Sequence, residues 1–190
     1  MEHTYESVKR LYLNNGFEFY TRPFEINILG IRTGYRASNL FDDTCIITYN
    51  DGRDNIILKF DNFTTDPGYY FLRVAFMNPK GCAFLKKGQY LKMFTKGLHG
   101  SKQYPALVQY KPVTVYRDTN KDELLDEKNT ETGMFGINFH HGYSSYLVHN
   151  NSAGCQVLKN SKDLEKLLPL FDLHEKTYGK GINYTLIDKV

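Results

Sequence analysis

From Phe17 onward the chain is cut into short apolar-rich runs by Gly, Pro, Asn and Asp, and this punctuation constrains the fold more than any other feature. Short runs rich in β-branched and aromatic residues between turn formers read as strands. The expected strands are Phe24–Ile31, Cys45–Tyr49, Asn55–Phe60, Tyr69–Ala75, Gln89–Phe94, Ala106–Tyr110, Val113–Arg117, Met134–His140 and a closing Ile182–Ile187. Tyr49-Asn50-Asp51-Gly52 lies between two of them and predicts a hairpin turn, because Asn/Asp-Gly supplies the positive φ values such a turn needs. Lys111-Pro112 predicts a strand break or edge, since proline cannot donate to a ladder. The content of 15 Tyr and 13 Phe with no Trp points the same way.

Helical signals are few. Val8, Leu11 and Tyr12 give Glu6 to Leu13 a weak helical pattern, so residues 1–16 read as an N-terminal extension before a main domain at 17–190. Leu164, Leu167, Leu168 and Phe171 form an apolar stripe at helical spacing, with Ser161 as an N-cap and Asp163 in the first turn. Pro169 should bend that helix or end it early. The expected class is mainly β: a curved, mostly antiparallel sheet or sandwich with one late helix.

No apolar run approaches the ~20 residues of a membrane span. The charged N-terminus has no apolar segment of a signal peptide, so synthesis in the cytoplasm is expected. The net charge of +3 is too small to argue for nucleic acid. Lys86, Lys87, Lys92, Lys96 and Lys102, interleaved with Tyr90, Phe94 and Tyr104, read as solvated strand faces or a basic wall for carboxylates. Three widely spaced cysteines, Cys45, Cys82 and Cys155, without a CxxC pair, exclude a disulfide framework and leave at least one free thiol.

The chemistry concentrates between Gly136 and Phe171. Histidines on a strand are followed by a polar loop, then Ser152-Ala153-Gly154-Cys155, then the capped helix. A cysteine nucleophile needs a base in hydrogen-bond reach, and small neighbours leave backbone N–H groups for an oxyanion. Alternation along the strand puts Ile137, Phe139 and His141 on one face and Asn138 and His140 on the other, which favours His140 as the base. The His141-Gly142 pair, read literally, favours His141, and a bulge would reverse the faces. A carbonyl near Gly142 or Ser144 is the expected orienting group, since no carboxylate lies in this loop.

This arrangement resembles the catalytic domain of L,D-transpeptidases, the ErfK/YbiS/YkuD-like family. The matching text is His140-His141-Gly142, a loop, Ser152-Ala153-Gly154-Cys155-Gln156-Val157-Leu158, the Ser161–Leu168 helix and the last strand. Thr65-Asp66-Pro67-Gly68-Tyr69-Tyr70 is similar to that family's Thr-Pro-x-Gly-x-Phe turn. The resemblance implies a nucleophilic Cys155, a histidine base (His140 or His141), and substrate or oxyanion contacts from Gly154, Ser152, Gln156, Asn138 and Gly142. It implies a peptidoglycan stem peptide as substrate, no required cofactor, and transfer or hydrolysis at the cell wall. Ala153 and Val157 depart from the family's histidine and arginine. They suggest a divergent phage-type branch, carried in a phage particle or acting in lysis beside other virion proteins. The alternative is a non-catalytic wall-binding or virion module on the same fold. A nucleic-acid-binding β domain is a third class.

Asp118, Asn120, Asp122 and Asp126 place oxygens at positions 1, 3, 5 and 9 of an EF-hand-like loop, a candidate structural calcium site. Glu123 stands where that loop needs Gly, and Asn129 where it needs a bidentate Glu. The other reading is an acidic, solvated loop.

Overall fold

The computed structural model describes residues 3–124, 128, 130–143 and 145–189. In chain order the elements are α1 (Tyr5–Asn14), β1 (Asn27–Arg32), β2 (Asp43–Asn50), β3 (Asn55–Thr64), α2 (Tyr69–Arg73), β4 (Ala83–Leu85) and β5 (Gly88–His99). There follow β6 (Tyr104–Gln109), β7 (Val113–Arg117), β8 (Thr130–Gly133), β9 (Phe139–His141), β10 (Gln156–Leu158), α3 (Ser161–Tyr178) and β11 (Ile182–Asp188).

Eight strands close into a barrel in the order β1-β11-β5-β6-β9-β10-β3-β2, and β4-β7-β8 form a separate three-stranded sheet. The barrel pairs are antiparallel except β1 with β11 and β9 with β10. The fold is therefore mainly β with a curved sheet, as the strand punctuation predicts. Closure of the sheet was not predicted, because it depends on the β1–β11 pairing of strands at opposite ends of the chain. The main core joins Ile28, Ile47, Phe63, Phe94, Phe139, Tyr184 and Leu186 of the barrel to Leu164, Leu167 and Phe171 of α3. That apolar face of α3 is the stripe seen in the sequence.

Four expectations change. Tyr69–Arg73 is a short helix, not a strand: Phe71 and Leu72 N–H both bond the Gly68 carbonyl, and only Leu72 is buried, so aromatic richness here does not mean pleating. There are thus three helices among the described residues, not one late one. The long helix starts after Asn160, one residue before the expected cap, and continues through Pro169 to Tyr178 without ending early. The predicted Met134–His140 strand pairs only over Phe139–His141. Its first half cannot join the ladder because Gly136 takes φ +74°, and the Gln109 side chain bonds Phe135 and Ile137 N–H instead.

Pro112 falls where the chain leaves the barrel after β6 and enters the small sheet as β7. Helix α1 lies on the barrel, with Val8 and Tyr12 packed on Leu29, Ile31 and Ile46. The Thr65–Gly68 turn is anchored at a buried polar group. Thr65 donates its N–H and hydroxyl to Asp43, and Arg32 pairs with Asp66 at 3.1 Å. Burial pushes the Asp66 carboxyl up, while Arg32 opposes that and Asp43 adds to it. Beyond the turn, the Gly68 N–H bonds the Ser152 carbonyl at 2.8 Å, and a Cβ at Gly68 would overlap the His149 backbone. The turn so holds the loop that carries Cys155.

No helix among the described residues is long and apolar enough to cross a membrane.

Candidate active site

The parallel pairing of β9 and β10 builds the site. Its register sets Gln156 against Phe139 and Val157 against His140. Cys155, just before β10, therefore lies beside Asn138, just before β9. Asn138 donates its N–H to Cys155 Sγ at 3.4 Å, and the thiol donates to the Gly136 carbonyl at 3.4 Å. Phe139 and Gln156 point into the barrel and are fully buried. Alternation then sends His140 to the other face, where it lines a cleft with Cys155. That cleft has a volume of about 480 Å³, and its walls include Phe71, Ala83, His99, Arg117, Met134 and Ala153.

His140 is 3% exposed. Its Nδ1 lies 2.8 Å from the His141 carbonyl oxygen and 3.0 Å from the Tyr104 hydroxyl. A carbonyl only accepts, so Nδ1 carries the proton and Nε2 carries the lone pair. Nε2 is buried and has no partner among the described residues. The orienting carbonyl is thus that of His141 itself, and Ser144, the other expected donor of such a group, lies outside the described residues.

Burial, with the neighbouring His99 and His141, pushes the His140 imidazolium down to about 3. Burial pushes the Cys155 thiol up to about 11, offset in part by the Asn138 N–H. The resting pair is therefore a neutral thiol and a neutral imidazole. Cys155 is 9% exposed. Cys45 is fully buried, and Cys82 is buried with its thiol donated to the Phe71 carbonyl at 3.1 Å. Burial raises both thiols, that of Cys82 to about 11. Alkylation by iodoacetamide is expected to reach Cys155 first and to quicken roughly tenfold per pH unit between about 7 and 9, because only the thiolate reacts. Peptide mapping by mass spectrometry reads both; a rate already level at pH 7 would mean an activated thiol.

His141 does not line the cleft. Its Nδ1 bonds the Gly142 carbonyl and its ring lies 4.2 Å from that of Tyr104. The expected substrate and oxyanion contacts are mostly engaged elsewhere. Gln156 is corrected to a core role: Tyr184 donates its hydroxyl to Gln156 Oε1 at 2.5 Å. Ser152 Oγ accepts the Gly154 N–H and donates to the Cys155 carbonyl, closing the turn before β10. The N–H groups of Gly154, Gln156 and Gly142 are thus all taken, the last two by the carbonyls of Asn138 and Leu158. Asn138 is a strut: its amide donates to His99 Nδ1 at 2.9 Å and its Oδ1 accepts the Gln109 N–H. His149 packs its ring on Tyr70, away from the cleft. Val157 is fully buried beside Phe41 and Val148, so an arginine side chain has no room there.

Two site residues have no local sequence signal. His99 ends β5 and stacks on His140 with ring centroids 3.9 Å apart and planes 17° from parallel. Arg117 ends β7 and reaches the same cleft from the small sheet. Only the tertiary fold brings either near Cys155.

In the acidic loop, the Asp118 carboxylate accepts the Asp122 and Glu123 N–H groups, and Asn120 donates to Asp122 at 2.8 Å. Glu123 pairs with Arg73 and Arg36. Asp126 and Asn129 lie outside the described residues. Of the lysines, Lys96 pairs with Asp172 and Lys87 with Asp188, while Lys86 and Lys102 lie over the rings of Tyr116 and Tyr143.

The chain was compared with protein-family models, with curated proteins and with solved structures, and no match was found in any of the three.

Proposed function

We propose that this chain is a cysteine-dependent acyl-transfer enzyme of L,D-transpeptidase type that acts on peptidoglycan stem peptides. One observation carries the chemistry: Cys155 and His140 line one cleft, and His140 Nε2, whose lone pair is set by the bond at Nδ1, has no partner among the described residues. An unpaired buried acceptor is costly, and catalytic need is a common reason for keeping one. The substrate class comes from the sequence resemblance alone.

In the first step Cys155 Sγ attacks the amide carbonyl carbon, the S–C bond forms, and the thiol proton passes to His140 Nε2. The C–N bond then breaks as that proton moves to the leaving amine. An incoming amine or water takes the acyl group, its proton passing through His140 back to the thiolate. Because the resting pair is neutral, proton transfer accompanies attack and does not precede it. The step uses protein groups alone. In a phage setting, hydrolysis suits the reading better than cross-linking.

The second reading is a non-catalytic wall-binding or virion module. It is favoured by the occupied Gly154 N–H and the deeply buried thiol. Incubation with a purified stem tetrapeptide separates the two. The enzyme yields a covalent acyl adduct on Cys155 by intact-mass measurement and releases an amine. Binding with no adduct and no release would favour the module.

A further inference from the structure

Arg117 is the only charged side chain among the described residues that line the cleft. It lines the same cleft as Cys155. Register pairs Ala83 of β4 with Arg117, and Gly154 packs directly on the Ala83 carbonyl. Arg117 is 6% exposed and its guanidinium is held in place: Nε donates to Glu131 at 2.9 Å, Nη1 to the Gly81 carbonyl at 3.3 Å, and the Phe135 ring centroid lies 5.0 Å from it. Nη2 has no partner among the described residues, and Arg117 is part of the cleft lining. Glu131 is itself shared with Lys80, so Lys80, Arg117 and Glu131 together keep one positive charge. The facing titratable groups, His99 and His140, are both pushed down by burial and stay neutral, and no carboxylate among the described residues lines the cleft.

We propose that Arg117 is a specificity-determining residue that receives a free carboxylate of the acyl donor. The cleft then selects donors with a carboxylate near the scissile amide over their amidated counterparts. A fixed, desolvated guanidinium with spare donors suits a planar anion better than a lysine does. Opposing charge in a cleft of low dielectric is worth about 10- to 100-fold in binding. The inference rests on the proposed acyl-transfer reading and deepens it.

The test compares the free-carboxylate and carboxamide forms of one stem tetrapeptide. Wild type is expected to show a KM at least about tenfold lower for the carboxylate form, with similar kcat for both. Arg117→Gln should bring the ratio of the two KM values to about one. Arg117→Lys should restore only part of the preference. Because Arg117 also braces Gly81 and Glu131, the wild-type ratio decides even if the variants do not fold. A wild type that turns over both forms with equal KM overturns the role of Arg117 but not the acyl-transfer reading. Turnover of neither form overturns that reading itself.

Discussion

Cys155→Ser is expected to abolish acyl transfer while the far-UV spectrum and Tm stay near those of wild type. The side chains are almost equal in size, so packing on Phe41, Val148 and Val157 is largely kept, and a hydroxyl can take the place of the thiol between the Asn138 N–H and the Gly136 carbonyl. A serine hydroxyl is far less acidic than even a thiol raised to about 11, and an imidazole whose conjugate acid is pushed down to about 3 is a poor base for it. His140→Ala should cost at least ~100-fold in kcat/KM, the scale for losing a general base. His141→Ala should cost much less, because His141 meets Tyr104 and Gly142 and not the cleft. Release of amine from a stem tetrapeptide measures all three. Equal, small losses at both histidines would remove His140 from the mechanism, and full activity in Cys155→Ser would overturn the enzyme reading.

Gly154→Ala has the second large effect, and it falls on stability first. Gly154 sits at φ +125°, where a side chain is strained, and its Cβ would overlap the Ala83 carbonyl oxygen and press on Ile137. Backbone cannot yield as a flexible side chain can, so strain and overlap together are expected to cost about 2–4 kcal/mol. For a domain of this size that is a fall in Tm of roughly 5–12 °C. Whatever folds should also lose activity, because the Ser152–Gly154 bond sets the turn that presents Cys155. Thermal melts of Gly154→Ala beside Ala153→Gly provide the control: residue 153 carries no such contact constraint, so a similar loss there would mean the loop, not the close approach, is the weak point.

The strands that the sequence shows best are those with local causes. The β2–β3 hairpin follows from Asn50-Asp51-Gly52, whose side chains bond the turn N–H groups. Pro112 marks the change of sheet, and Leu164, Leu167 and Phe171 predict the buried face of α3. Aromatic richness misled at Tyr69–Arg73, because helix or strand there is decided by what Gly68 packs on, a loop about 80 residues later. Gly136 hid the break in the histidine strand, because the replacement hydrogen bonds come from the Gln109 side chain and not from a neighbouring strand.

Alternation pointed to opposite faces for His140 and His141, and this holds because both lie in the regular stretch Phe139–His141, beyond the break at Gly136. The sequence by itself also showed that Cys155 follows small residues and precedes a helix, but not the short strand Gln156–Leu158 between them. Tertiary structure alone decided what surrounds that thiol. The parallel β9–β10 register, the stacking of His99 on His140 and the approach of Arg117 from a second sheet all join residues distant in the chain. It also turned Gln156 inward to Tyr184, because the residue after an outward-facing cysteine must face the barrel interior, and a buried amide there needs a partner.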